Sequence, residues 1–395
     1  MSEWKMCRIG DLCDTISETY KRTDNMVVLI NTSDVLEGEV LNHTPVPNEN
    51  LKGQFKKTFQ RNDILYSEIR PANKRFAFID FEDTSRYIAS TKLMVLRPRK
   101  DVVLPLFLYA ILKSRDVIEE LQHLAETRSG TFPQITFSSE LAPMEIMVPD
   151  FTTQKQIVSI LSAIEDKIRL NTAINENLEQ QAQAYFIELF ITNADLNWKI
   201  GTISDLGNVV GGGTPSKKVE EYYTNNGIAW ITPKDLSNDK SKFVAHGEID
   251  ITELGLAKSS ATLMPKGTVL FSSRAPIGYI AIADGHVCTN QGFKSIVPFD
   301  NIGTAYVYYF LKENLSAIEN VASGSTFKEV SGSTMKNFTA IIPDNETLAD
   351  FQRFCAPLFE QQRALEYENR SLSTLRDTLL PKLMNGEIDV SAVQI

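Results

Sequence analysis

Residues 151–189, FTTQKQIVSILSAIEDKIRLNTAINENLEQQAQAYFIEL, decide how this chain is organised. Apolar, small or amide side chains recur there at alternating steps of four and three residues, which is the heptad spacing of a coiled-coil helix. These positions are Ile157, Leu161, Ile164, Ile168, Asn171, Asn175, Leu178, Ala182, Tyr185 and Leu189. A helix of about 38 residues measures roughly 57 Å at 1.5 Å per residue. We expect a helix of that length to support or space other parts of the protein.

A second copy of the pattern occupies residues 351–383, FQRFCAPLFEQQRALEYENRSLSTLRDTLLPKL. Each of its positions lies 194 residues after a counterpart in the first copy. They are Phe351, Cys355, Leu358, Gln362, Leu365, Asn369, Leu372, Arg376, Leu379 and Leu383. Two such helices in one chain predict an antiparallel pair whose seam these positions form.

Asparagines interrupt the seam in both copies, at Asn171 and Asn175 and again at Asn369. A buried asparagine in such a seam costs stability and tends to fix the register of the pair. If the helices cross at their middle, Asn171 lies near Asn369. The alternative, in which these asparagines sit at the solvated edge of the seam, stays open from the sequence.

The segments that precede the two helices also match each other. The matched stretches are residues 9–12 with 203–206, 29–35 with 229–236, 63–67 with 268–272, 76–80 with 279–284, 129–132 with 323–327 and 148–150 with 342–344. Alternating apolar residues in several of them predict strands, and a 3.6-residue period predicts one helix in each half, at 107–125 and 306–321. The last matched pair is Pro-Asp, a helix start signal, directly before each long helix.

The sequence therefore predicts an α+β protein with an internal duplication and an approximate two-fold axis. Two mixed α/β modules are separated by two long antiparallel coiled-coil helices. The predicted division is 1–150 for the first module, 151–192 for the central helix, 193–344 for the second module, 345–388 for the distal helix and 389–395 for a tail. Two similar faces related by a two-fold axis suit a rod-like target such as duplex DNA, and because the modules differ, the half-sites they read should differ.

Composition excludes several other classes. The 395 residues are 43% hydrophobic, enough for packed cores. Four cysteines without a C-x-x-C pair and four scattered histidines argue against a structural metal or a disulfide framework, and favour a reducing cytoplasm. The N-terminus lacks the apolar core of a signal peptide, and the longest apolar run, 102–112, contains Pro105 and is too short for a bilayer. We expect a cytoplasmic protein with no membrane partner.

The formal charge of −10 argues at first sight against a nucleic-acid partner. The charge is unevenly distributed, however, because residues 52–75 carry a local balance of +5. The charged residues in that stretch are Lys52, Lys56, Lys57, Arg61, Arg70, Lys74 and Arg75, against Asp63 and Glu68. Such a basic module can bind DNA, especially within a larger basic assembly, although a surface strip without function is the alternative.

Sequence-specific reading of DNA needs side chains on loops or helix ends that reach base edges, with basic and hydroxyl groups on phosphates. The candidates in the first module are Arg70, Asn73, Lys74, Arg75, Thr131 and Gln134. Those in the second module are Lys217, Lys218, Thr232, Lys234, Asp235, Arg274, Ser325, Thr326 and Lys328. The two loops share a proline, Pro71 or Pro276, and relative to it Arg274 lies one place nearer the strand than Arg70 does. Such a shift is expected if the two modules read different sequences. The alternative for the arginines is that they are ordinary surface residues. The alternative for the Ser-Gly-Thr-Phe turn is that a buried phenylalanine anchors it.

Several local motifs are more specific than these patterns. In the long helices they are residues 154–163, 166–168, 175–179, 182–184, 375–383 and 385–388, and in the second module 212–216 (GGTPS) and 230–236 (WITPKDL). In these residues, and over essentially its whole length, the chain resembles the specificity subunit of type I restriction–modification systems. The first module departs from the pattern, since it has no Gly-Gly-Thr-Pro run and carries Asn31-Thr32-Ser33 in place of Thr-Pro-Lys.

The resemblance implies a subunit without chemistry of its own, whose modules are target-recognition domains. They would read the two halves of a bipartite, asymmetric sequence in double-stranded DNA across a non-specific gap. The helices would set the gap and dock two adenine methyltransferase subunits, and two restriction–translocase subunits would complete the complex. S-adenosylmethionine, ATP and Mg²⁺ would be used by those partners, with no cofactor bound by this chain.

Two other classes compete with this interpretation. Pro149-Asp150 with Glu165-Asp166-Lys167 formally satisfies the P-D…E-x-K pattern of a nuclease, but that chemistry needs carboxylates on adjacent strands around a metal, and Glu165 lies in a heptad helix. A self-contained methyltransferase would need an Asn/Asp-Pro-Pro-aromatic tetrad, which the chain lacks. A scaffold that binds protein or carbohydrate is compatible with the acidic balance, although the duplicated basic loops weigh against it.

Overall fold

The computed structural model describes residues 4–21, 24–49, 51, 53–128, 131–324 and 328–392. The chain forms two compact units, of which one comprises Met1–Ile168 with Ser371–Ile395 and the other Arg169–Arg370. Each unit therefore contains one module together with part of both long helices. Helices and strands mix throughout, as the sequence predicts for an α+β protein.

The first module is built mainly from two four-stranded sheets. Its strands are β1 (Lys5–Arg8), β2 (Cys13–Ile16), β3 (Met26–Ile30), β4 (Val35–Leu36), β5 (Glu39–Val40), β6 (Val46–Pro47), β7 (Phe55–Lys57), β8 (Ile64–Ser67), β9 (Phe76–Phe78), β10 (Tyr87–Ser90), β11 (Leu93–Pro98) and β12 (Glu145–Val148). Its helices are α1 (Ile9–Leu12), α2 (Pro105–Leu112) and α3 (Arg115–Arg128), and the long helix α4 (Phe151–Ile187) follows. The sheets have the orders β2-β11-β8-β9 and β6-β3-β10-β7.

The second module has one larger sheet and several strand pairs. Its strands are β13 (Lys199–Thr202), β14 (Gly207–Gly211), β15 (Tyr223–Thr224), β16 (Ala229–Ile231), β17 (Phe243–Val244), β18 (Asp250–Ile251), β19 (Val269–Ser273), β20 (Ile277–Ala283), β21 (Val287–Thr289), β22 (Lys294–Pro298) and β23 (Thr339–Ile342). Its helices are α5 (Ile203–Leu206), α6 (Pro233–Asn238), α7 (Glu253–Ala257), α8 (Thr304–Glu313), α9 (Leu315–Asn320) and α10 (Gly332–Lys336), and the long helix α11 (Asn345–Met384) follows.

The sheet topology confirms the duplication. The order β14-β22-β19-β20 repeats β2-β11-β8-β9, and the parallel pair β16·β21 repeats β3·β10. The antiparallel ribbon β13·β23 repeats β1·β12 in the same register, since Lys5 faces Val148 and Lys199 faces Ile342. The two modules are thus copies of one architecture.

The single helix expected in each module is divided in two. In the first module α2 ends at Leu112, and Ser114 accepts a hydrogen bond through its Oγ from Val117 N, 3.4 Å, as the cap of α3. In the second, Asn314 donates from its side chain to Phe310 O, 2.8 Å, between α8 and α9. Short polar side chains bond to nearby backbone in this way and interrupt a helix, although the apolar period continues across the break.

The two long helices pair in opposite directions. In the second unit, Asn171, Asn175 and Tyr185 of α4 meet Asn369, Glu366 and Phe354 of α11, so residue numbers rise along one helix as they fall along the other. In the first unit, the start of α4 shares an apolar cluster with the end of α11. That cluster contains Ile157, Leu161, Leu380 and Leu383. Although α4 and α11 are long, no helix among the described residues is apolar enough to cross a membrane.

Every predicted seam residue is buried or half-buried. Ile157, Leu161, Asn171 and Leu178 are buried, and Ile164, Ile168, Asn175, Leu358, Leu365, Asn369, Leu372 and Leu379 are half-buried. The predicted proximity of Asn171 and Asn369 is confirmed, because Asn171 Nδ2 donates to Asn369 Oδ1 at 3.0 Å. Asn171 is fully buried, so it does not lie at a solvated edge.

A buried polar cluster attaches the second module to the paired helices. The side chain of Lys242, only 6% exposed, forms an ion pair with Glu179 of α4 and donates to Gln362 Oε1 of α11 at 2.7 Å. Its ammonium group also lies 4.1 Å from the centre of the Phe359 ring. Glu366 of α11 accepts hydrogen bonds from the backbone N–H groups of Lys242 and Phe243, at 2.8 and 3.1 Å.

The charge of Glu179 is stabilised from two sides. Burial alone raises the pKa of this carboxyl, but Lys242 and Lys312 outweigh burial and hold the pKa at about 2. Tyr309 adds a hydrogen bond from its hydroxyl to Glu179 Oε2, 2.9 Å. A buried charge with several donors is tolerated, whereas one that loses its partner is costly.

We expect Lys242→Met to destabilise the protein because it leaves Glu179 and Gln362 with one donor fewer in a buried site. The loss should be about 2 kcal/mol, below the usual 3–5 kcal/mol for a broken buried pair because Lys312 remains. Urea unfolding of the full chain measures it. Lys258→Met, at an exposed position, is the matched control and should stay within about 0.5 kcal/mol of wild type.

The stability that Glu179 contributes should also depend on pH. Its pKa of about 2 in the folded protein lies below the pKa of roughly 4.3 in an unfolded chain. The stability that the charged carboxylate contributes is therefore complete above the unfolded pKa and is lost as pH falls toward the folded pKa of about 2. The difference in unfolding free energy between wild type and Glu179→Gln should therefore shrink between about pH 5 and pH 3. A difference that stayed constant across this range would show that Glu179 does not keep its charge through the two lysines.

Candidate nucleic-acid interface

Several loops of the first module meet at the carboxyl ends of β3, β8 and β10. Glu68 N, after β8, donates to Lys92 O, after β10, at 3.0 Å, and Ile135 N donates to Glu68 O at 2.8 Å. Arg75 Nη1 reaches the segment after β3 and donates to Ser33 O at 3.0 Å. We name residues 31–34, 68–75, 91–92 and 131–135 the first loop surface.

The second module repeats the two backbone hydrogen bonds of this arrangement. Ser273 N, at the end of β19, donates to Gly292 O, after β21, at 2.7 Å, and Val330 N donates to Ser273 O at 3.0 Å. A hydrogen bond from Thr214 Oγ1 to Gln291 Oε1 adds the Gly-Gly-Thr-Pro segment. We name residues 212–218, 232–235, 273–276, 290–294 and 328–330 the second loop surface.

The loops after β8 and β19 contain strained backbone at equivalent places. Arg70 has a φ of 46° and Ala275 a φ of 52°, and each precedes a proline. Lys74 has a φ of 52° at the end of the same loop in the first module. The left-handed region costs a residue with a Cβ atom roughly 1–2 kcal/mol. Strain of this kind persists mainly where function requires it, and here it recurs in both modules.

The candidate side chains of the first loop surface differ in how many contacts they make within the protein. Arg70 and Asn73 are exposed, and within the described part of the chain their side chains have no hydrogen-bond or ion-pair partner. Lys74 Nζ lies 3.0 Å from Glu37 Oε1, and Gln134 Oε1 accepts from Lys92 Nζ at 3.4 Å. Arg75 holds the backbone at Ser33 and Val35, and Thr131 is exposed.

Basic side chains dominate the second loop surface. Lys217, Lys218 and Lys328 are exposed. Lys234 Nζ lies 2.6 Å from Glu248 Oε2, and Arg274 Nη1 lies 3.5 Å from Glu329 Oε2. Ser325 and Thr326, the other candidates near Lys328, lie outside the described residues.

Thr232 and Asp235 form a helix cap. Asp235 Oδ2 accepts from the backbone N–H and the hydroxyl of Thr232, at 2.7 and 2.6 Å, where α6 begins. Asn31 and Asp34 form the same reciprocal cap in the first module, so Thr-Pro-Lys-Asp and Asn-Thr-Ser-Asp fold alike. These side chains shape the loop that presents Lys234.

The two glycines of Gly-Gly-Thr-Pro are required by packing. A Cβ atom at Gly212 would overlap the carbonyl oxygen of Asn290, and one at Gly213 would overlap the backbone at Ala261. Trp230 Nε1 donates to Gly213 O at 3.0 Å, which fixes this segment beside β16. The motif thus brings Thr214 against the loop after β21.

Sequence reasoning missed some members of these surfaces. Lys92, Gln291 and Lys294 follow or begin strands and belong to no motif, although their positions at the ends of neighbouring strands could have indicated them. Lys294 Nζ lies 3.4 Å from Glu329 Oε1. Phe132 is 49% exposed, so the alternative of a buried phenylalanine anchoring its turn is wrong in the first module. Phe327 lies outside the described residues.

Two loop surfaces with basic side chains on a duplicated frame fit a DNA-recognition protein, and the comparisons with known proteins specify the family. The chain belongs to the type I restriction modification DNA specificity domain family, whose sequence model matches residues 1–180 and again residues 196–365. It is a DNA-recognition subunit of a type I restriction–modification system.

Two relatives and one solved structure illustrate the similarity. The type I restriction enzyme HindI specificity subunit of Haemophilus influenzae is 32% identical over 98% of this chain and 100% of its own length. The type I restriction enzyme MjaIX specificity subunit of Methanocaldococcus jannaschii is 42% identical over 52% of this chain and 47% of its own. The type I restriction–modification system S subunit from M. genitalium has the same fold, with a TM-score of 0.55 at 15% identity over 97% of this chain and 96% of that one.

Arg70 and Arg75 should respond differently to truncation. Arg70→Ala removes an exposed side chain, so stability should stay within about 0.5 kcal/mol of wild type while DNA binding weakens. Arg75→Ala removes charge-assisted bonds to two carbonyl groups and should cost about 1–2 kcal/mol of stability. Urea unfolding and fluorescence anisotropy on cognate duplex separate the two effects. Equal loss of stability in both variants would contradict these roles.

Proposed function

We propose that this chain is the non-catalytic reader of its complex, with one half of a bipartite, asymmetric DNA site assigned to each module. The observation that carries the proposal is the shared frame of the two loop surfaces. Glu68, Lys92 and Ile135 make the same backbone hydrogen bonds as Ser273, Gly292 and Val330, while the side chains they present differ. One frame with two sets of side chains suits two different half-sites of one duplex.

Within each loop surface, phosphate contact and base reading fall to different side chains. Arg70 and Asn73 project from a strained, fixed loop, and both side-chain types make paired hydrogen bonds with bases. Lys217, Lys218 and Lys328 are exposed point charges suited to phosphates. Lys74, Lys234 and Arg274 already contact carboxylates, so they would exchange those partners for phosphate when DNA binds.

The partners follow from the same assignment. Two adenine methyltransferase subunits that use S-adenosylmethionine would dock on the long helices, and two restriction–translocase subunits that use ATP and Mg²⁺ would complete the assembly. This chain would bind none of these cofactors itself. The complex would act in the cytoplasm, where its DNA substrate lies.

Contacts at the formal nuclease pattern support a non-catalytic role. Asp150 Oδ1 accepts from Thr153 N at 3.0 Å, where α4 begins, and this backbone hydrogen bond lowers the pKa of Asp150. Glu165 forms an ion pair with Lys113 on the side of α4. Both carboxylates thus have structural partners, Asp150 at the start of α4 and Glu165 beside α2, whereas a metal-dependent nuclease needs its carboxylates together around an ion.

Exchanging the modules one at a time tests the proposal. Replacing residues 1–150 by the first module of another family member should change one half of the methylated sequence and leave the other half and the gap as they were. Replacing residues 193–344 is the matched control and should change only the opposite half. Mapping N6-methyladenine across the genome of cells that carry the complete system gives both half-sites directly. A change of both halves in either exchange would refute the division of labour.

A further inference from the structure

The first module contains a cavity of about 500 Å³ that the loop surfaces do not use. Met26, Val28 and Tyr87 line it, at the amino ends of β3 and β10. The first loop surface lies at the carboxyl ends of these same strands. Since each strand has four or five residues at about 3.3 Å per residue, some 13–17 Å separate the two. The volume is typical of a small-ligand site, so the cavity is distinct from the DNA-reading edge.

Three aromatic rings form one wall of the cavity. The centres of Phe81 and Tyr87 lie 5.0 Å apart with 47° between the ring planes. His43 stands nearly perpendicular to both, at 78° to Phe81 and 74° to Tyr87, and its Nδ1 lies 2.9 Å from the Tyr87 hydroxyl. A flat ligand such as a base stacks between parallel rings, whereas rings inclined in this way suit a compact cation that contacts several of them.

The charges around the cavity also favour a cation. Asp80, Asp83 and Arg86 line it, which leaves a formal balance of −1 with histidine neutral. Asp83 bonds to the Ser85 hydroxyl at 2.7 Å and lies 3.8 Å from Arg86. Within the described residues, the carboxylate of Asp80 has no hydrogen-bond or ion-pair partner. Two carboxylates at the rim would repel a phosphate or another anion.

We propose that this cavity binds an organic cation of the alkylammonium or guanidinium class, with His43, Phe81 and Tyr87 around the cationic group and Asp80 as its counter-charge. Aromatic rings attract a cation through their electron-rich faces, and they do so most strongly for groups that are weakly hydrated. The same chemistry is offered by a free polyamine and by a lysine or arginine side chain of another subunit.

A pair of matched probes isolates the charge. Choline and its neutral isostere 3,3-dimethyl-1-butanol have nearly the same shape, so a site that recognises charge should bind choline at least about fivefold more tightly in calorimetric titration of the full chain. Asp80→Asn and Phe81→Leu should each weaken choline binding about fivefold. Asp101→Asn, at another exposed aspartate of the same module, is the control and should leave binding unchanged.

Two further titrations distinguish the sources of the cation. In the first, spermidine is titrated into the chain alone. In the second, choline is titrated into the chain assembled with its methyltransferase partner. If the natural ligand is free, the assembled complex binds choline as well as the chain alone does. If a partner side chain fills the cavity, assembly blocks choline and Phe81→Leu weakens assembly. Equal binding of choline and the neutral isostere, unchanged binding in Asp80→Asn, or no binding of choline and spermidine would overturn the proposal. Half-site recognition, measured in the same variants, is expected to stay intact.

Discussion

The antiparallel pairing of α4 and α11 is the constraint on which the other features depend. Helices of 37 and 40 residues can pair in several registers if their seam is uniformly apolar. Here polar residues interrupt the seam of the second unit, with Asn171 hydrogen-bonded to Asn369 and Asn175 to Glu366. A slipped register would leave these buried and half-buried groups without partners, at up to roughly 1–3 kcal/mol for each. The polar contacts therefore select one register at some cost in stability.

The same polar contacts extend from the helices into the second module. Glu366 receives the Asn175 amide on one side and the backbone of Lys242 and Phe243 on the other. Gln362 links Lys242 to α4 as well, since its amide donates to Asn175 O at 3.2 Å. The register of the helices and the placement of the second module are thus fixed by one connected set of side chains, within one compact unit.

Much of the fold could be predicted from the sequence because the signals were periodic or repeated. The heptads around Asn171 gave the long helices, and the constant offset of 194 residues gave the duplication. Individual roles were harder. The Thr232-x-x-Asp235 spacing is a capping pattern, but the sequence alone also favours a DNA contact there, because capping and DNA-binding residues share the same polar types. Nothing near Lys242 in the sequence indicates burial, since the partners of its side chain lie 63 residues before it and 67 or more after it. Arg70 was identified from its loop, but its strained backbone becomes visible only in three dimensions.

The most direct test of the helix pair as a spacer is a heptad inserted in both long helices, after Ile168 and before Ser371, followed by genome-wide mapping of N6-methyladenine. Seven residues add about 10.5 Å, or roughly three base pairs of duplex. If the helices set the gap, both half-sites should remain as in the wild type while the gap between them lengthens by about three base pairs. An unchanged gap, or loss of half-site identity in a folded protein, would contradict the spacer role.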